Sequence, residues 1–132
     1  MEMLAQVCAG LAALILIAVF PFEAFLIERP GVQKFLGIEP DGIRNVHLWS
    51  FCLGARNALA GAGTLVGIWM INYGSASTGA TVVVVGCLYM LASALFMGLA
   101  DLLGYWRPRG ASIRGTLSSS VLPAAALVLI AL

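Results

Sequence analysis

Arg56 and Asn57 stand side by side within FCLGARNALAGAG, residues 51 to 63, a run otherwise built of small and apolar residues. A guanidinium carries a fixed charge and five donors, so in such a setting it needs acceptors. Two carboxylates stand near the ends of other apolar runs, Glu23 in the first and Asp101 in the third. An arginine paired with one or both acids satisfies charge and hydrogen bonding together. The sequence therefore predicts a buried polar cluster of Glu23, Arg56, Asn57 and Asp101. It acts either as an interhelical clasp or as a ligand-binding site or proton path. Arginine stays protonated in proteins, so in a proton path Glu23 or Asp101 carries the proton. His47, nine residues before Arg56, is expected nearer the surface.

Other reactive residue types do not assemble into a catalytic set. Cys8, Cys52 and Cys87 fall singly on different apolar runs beside one histidine, which indicates neither a zinc site nor a CxxC redox pair. Ser118, Ser119 and Ser120 are expected to bond to backbone carbonyls or neighbouring helices, and a serine nucleophile would have His47 as its sole imidazole base. There is no phosphate-binding glycine loop and no haem-type histidine pair. Nor is there a basic surface for nucleic acid. No catalytic residue, metal or cofactor is expected.

The elements that must position the cluster follow from composition. The 132 residues are 61% hydrophobic and 10% charged, with a mean hydropathy of +1.01. This balance argues against a water-soluble fold. Apolar windows of about 20 residues suit helices crossing a core roughly 30 Å thick, and four such windows fit. They are too long and continuous for the alternating pattern of a membrane barrel. The expected fold is all-α, a single polytopic domain over residues 1 to 132 with four transmembrane helices in a bundle, spanning about 3–27, 46–71, 79–104 and 115–132. The first window lacks the positive n-region and the Ala-x-Ala site of a signal peptide, so it is expected to be a retained helix. A polar turn is expected over residues 72 to 79. Pro21 and Pro123 are expected to kink or start helices.

Arg29, Lys34 and Arg44 follow the first span, and Arg107, Arg109 and Arg114 follow the third. The positive-inside rule puts both loops in the cytoplasm and both termini outside. Trp49 and Trp69 are 20 residues apart, about 30 Å of helix, and would mark the two interfaces of the second span. Tyr73 supports the outer boundary, and Tyr105 and Trp106 mark the inner end of the third. In the long first loop, Val32, Phe35 and Leu36 fall at helical spacing, which predicts a short interfacial helix opened by Pro30 and closed by Gly37. Gly54, Gly63 and Gly67 are expected to form a helix-packing face on the second span, with Gly63 and Gly67 as a small-xxx-small pair.

The stretch FEAFLIERPGVQKFLGI followed by LGARNALAG resembles the family of small bacterial integral membrane proteins called domain of unknown function 1304. Glu23, Phe25, Pro30, Lys34, Gly37, Gly54 and Asn57 match its motifs in order and approximate spacing, and Pro123 resembles the proline of its last helix. The chain departs from the pattern at Cys52 and Leu53, at Arg56 in place of a tyrosine, and in lacking a histidine in the first helix. The resemblance implies four helices and carries no established activity.

Three functions compete on these observations. One is a non-enzymatic accessory subunit packed against a larger membrane complex. Another is a small oligomeric transporter or ligand-binding membrane protein that uses the Glu23, Arg56, Asn57 and Asp101 cluster. A membrane enzyme acting on lipid or quinone is a third. The expected partners are the bilayer and other membrane subunits or further copies of the chain.

Overall fold

The computed structural model describes residues 1–36, 43–105 and 109–132, with side chains of 43–45 left aside. The roles expected of Gly37, Trp106 and Arg107 lie outside the described residues, as does the Arg44 side chain. The described residues form five helices: α1 (Met3–Ala24), α2 (Pro30–Leu36), α3 (Ile43–Tyr73), α4 (Ala76–Leu102) and α5 (Ile113–Ala131). Four of them, with α3 counted over Val46–Tyr73, are long and apolar enough to cross a membrane. The chain is a multi-pass membrane protein with an all-α fold, as its composition predicts.

The long helices form a ring in which α1 packs on α3 and α5, and α4 packs on the same two helices. The interior is made of small side chains. Ala5, Ala9, Ala12 and Ala13 are buried along one stripe of α1, and Ala9 and Ala12 join Val83, Cys87, Met90 and Ala126 in the core. Large apolar side chains such as Leu59, Phe96 and Val121 point outward. This arrangement suits a lipid exterior, where helices associate through close packing and not through removal of apolar surface from water.

Two glycine contacts bring backbones together. A Cβ at Gly61 would lie 2.7 Å from the Ala13 carbonyl oxygen of α1, and one at Gly79 would lie 2.6 Å from the Gly67 carbonyl oxygen. Neither site accepts a side chain without moving a helix. Thr64 is similarly pressed against Gly86 of α4.

The α3–α4 turn is tighter than the polar stretch suggests. Asn72 stays helical, donating to the Ile68 carbonyl at 2.8 Å and reaching Gln6 of α1 at 2.7 Å. Ser75 then caps α4, accepting from the Thr78 N–H at 3.4 Å. Polar residues that look like a loop by composition are here a helix end and an N-cap.

α4 stops in a Schellman arrangement. The Tyr105 N–H bonds to the Ala100 carbonyl and the Gly104 N–H to the Asp101 carbonyl, both at 2.9 Å. Gly104 takes a φ of +80°, the left-handed position that this motif reserves for glycine.

Candidate functional site

The site begins where α1 ends. Helix C-termini leave carbonyls without intrahelical donors, and here α3 supplies them. The Ser50 hydroxyl donates to the Glu23 carbonyl at 2.7 Å, and His47 Nε2 lies 3.1 Å from the Ala24 carbonyl. The other ring nitrogen of His47 is 3.5 Å from the Glu28 carboxylate.

The Glu23 side chain turns against α3 at Gly54. A Cβ there would stand 3.0 Å from Glu23 Oε2 and 3.0 Å from the Phe20 ring, so a larger residue would require the carboxyl and the ring to give way. Phe20, Phe25 and Phe51 form an edge-to-face trio beside it, with centroids 5.7 to 6.2 Å apart. Asn57, one turn further along α3, is within hydrogen-bonding reach of the carboxyl. From α4, the Tyr89 hydroxyl donates to Asn57 Oδ1 at 3.3 Å, which leaves the Asn57 amide NH2 as the donor available to Glu23. Three helices thus meet in one polar chain, Glu23 to Asn57 to Tyr89. Among the described residues, Glu23 Oε2 is buried and has no hydrogen-bond partner.

The four-residue cluster expected from the sequence is divided. Glu23 and Asn57 come together, while Asp101 is 6% exposed at the far end of α4 and turns toward the α4–α5 connection. Its carboxylate accepts from the Gly110 N–H at 2.8 Å, the Ser112 N–H at 3.0 Å and the Ser112 hydroxyl at 2.6 Å. Arg56 is exposed on the outside of the bundle, and its Nε donates to the Cys52 carbonyl one turn back at 3.3 Å. Among the described residues it forms no ion pair with either acid. The physical reason is rotation. Arg56 follows Ala55 and precedes Asn57 on a helix that turns 100° per residue, so it cannot share the Asn57 face.

The glycines divide in the same way. Gly54 faces α1 and Gly67 faces Val82, Val83 and Gly79 of α4, whereas a Cβ at Gly63 would meet no neighbouring atom within 4 Å. Gly63 is seven residues from Arg56 and shares its outward face.

The model of the family described as "Protein of unknown function (DUF1304)" matches residues 10–131. The chain belongs to this family. No curated protein and no solved structure matches it. Among the residues that carry the DUF1304 resemblance, Glu23, Gly54 and Asn57 meet at the α1–α3 contact, while the departure Arg56 lies outside it.

Sequence reasoning missed Ser50 and Tyr89 and left His47 at the surface without a role. A signal for two of them was present. His47, Ser50, Gly54, Asn57, Gly61 and Thr64 recur at alternating spacings of three and four, the seam of a helix packed lengthwise on its neighbours. The seam is polar or small throughout, so a search for apolar periodicity passes over it. Nothing comparable singles out Tyr89.

Proposed function

We propose that this chain is a non-enzymatic accessory subunit of a bacterial inner membrane, packing against a larger membrane complex through the outward face of α3. The observation that carries this reading is Arg56, exposed on a membrane-spanning helix with Gly63 open two turns deeper on the same face. If Trp49 marks the interface, Arg56 lies about 10 Å inside it. A cation at the middle of a span costs roughly 2.5 to 3.5 kcal/mol, and an acidic side chain on a neighbouring helix offsets that cost. Gly63 lets such a helix approach closely. A second copy fits this face less well, because a two-fold contact sets two Arg56 side chains at one depth. In this reading both basic loops lie in the cytoplasm and both termini outside.

A second reading, a small oligomeric transporter or ligand-binding membrane protein, is favoured by one observation, the buried Oε2 of Glu23 that has no hydrogen-bond partner among the described residues.

Native mass spectrometry of the protein gently extracted from its own membranes tests the first reading. The expected result is an assembly with larger subunits that is lost in Arg56→Leu and weakened in Gly63→Leu, while each variant chain stays folded. A free monomer, or an assembly indifferent to both substitutions, overturns it.

A further inference from the structure

Among the described residues, Glu23 is the one acid whose carboxyl sits within the contact of three helices. Oε2 is buried against the Gly54 backbone and the Phe20 ring, without a donor. The residue as a whole is half-buried. Asp101 offers a contrast in the same chain, since its carboxylate is met by three donors and needs nothing further.

The groups around Glu23 can be named from each packed element. α3 presents Ser50 and Asn57, both neutral, with His47 further toward the helix start; Arg56, though adjacent to Asn57 in sequence, points away to the Cys52 carbonyl. α4 presents the Tyr89 hydroxyl, already donated to Asn57. Glu28 lies beyond the end of α1 and pairs with His47. From α5, Arg114 is exposed at the helix start. Among the described residues Glu23 forms no salt bridge, and Asn57 offers the carboxyl one neutral NH2 group.

An anion with a buried and undonated oxygen is expensive, and it is relieved either by water entering the crevice or by a proton. We infer that Glu23 is a reversible proton-binding site at the α1–α3–α4 junction. With the proton bound, the neutral carboxyl lies against Gly54 and the helices stay close. When the proton leaves, the anion draws water into the Gly54 crevice and loosens α1 from α3. This inference holds whether or not the chain docks on a larger complex.

The test is chemical labelling of the full chain in nanodiscs of its own lipids with dicyclohexylcarbodiimide, a hydrophobic reagent for protonated carboxyls. The carboxyl O–H adds across one C=N bond with no leaving group, and the adduct rearranges to a stable acylurea. Peptide mapping is expected to find the adduct on Glu23, falling as the pH is raised. The adduct is expected to vanish in Glu23→Gln and to persist in Asp101→Asn and Glu28→Gln. Infrared difference spectra of the unaltered protein serve as a second readout should Glu23→Gln fail to fold. A neutral-carboxyl C=O band lost on raising the pH is expected. An unlabelled Glu23 in folded protein, labelling indifferent to pH, or the absence of that band overturns the inference.

Discussion

Ser112 gives both its backbone N–H and its hydroxyl to one oxygen of Asp101, at 3.0 and 2.6 Å. The Gly110 N–H holds the other oxygen at 2.8 Å. Asp101 is therefore the staple that joins the end of α4 to the start of α5, and its charge is satisfied within eleven residues of chain.

Asp101→Ala leaves these buried donors without an acceptor. A loss of about 2 to 4 kcal/mol is expected, since hydrogen bonds to charged groups contribute about 1.5 to 3 kcal/mol each and do not add fully. Asp101→Asn, which keeps one acceptor oxygen, should lose less. Denaturation in mixed detergent micelles reads both. In the double variant Arg56→Met with Asp101→Leu the two effects should simply add, because the residues share no contact.

Gly61→Ala is expected to destabilise the bundle by about 1 to 3 kcal/mol through overpacking against the Ala13 carbonyl. Gly63→Ala, at an open site, should change the isolated chain by less than about 0.5 kcal/mol. Thermal unfolding of the two purified variants side by side checks the contrast.

Tyr89→Phe removes a single neutral hydrogen bond at 3.3 Å, so a cost of about 0.5 to 1.5 kcal/mol is expected. Asn57→Leu should cost more, because it strips Glu23 of its donor as well. If the three groups form one chain, Tyr89→Phe adds little in the Asn57→Leu background. A double-mutant cycle by the same unfolding measurement tests this coupling.

Orientation is accessible by cysteine labelling. In a background with Cys8, Cys52 and Cys87 replaced, Ser77→Cys should react with an impermeant maleimide added to intact cells. Arg109→Cys should react only after the membrane is opened. The reverse pattern would place the basic connections outside.

The gross architecture was legible because lipid imposes one rule on every span. About 20 apolar residues in sequence must be helical, whatever they pack against. The helix opened by Pro30 was legible for a similar reason, as a local pattern with a local start signal. The polar site was legible only in part. Glu23 and Asn57 stood out as polar residues in apolar runs, but so did Arg56 and Asp101, and depth alone cannot tell which way a side chain points. Rotation about the helix axis sends Arg56 outward, and a loop-borne serine claims Asp101 from nearby in sequence. The role of Ser50 was hidden for another reason, because the acceptor it serves is a backbone carbonyl.

The first helix is finished by residues that do not yet exist when it emerges. The acceptors at its end, on Glu23 and Ala24, are met by Ser50 and His47, 27 and 23 positions downstream. Until α3 is made, two carbonyl acceptors at the end of α1 lack these donors. The end of α1 is therefore completed only when α3 has been made and packed against it.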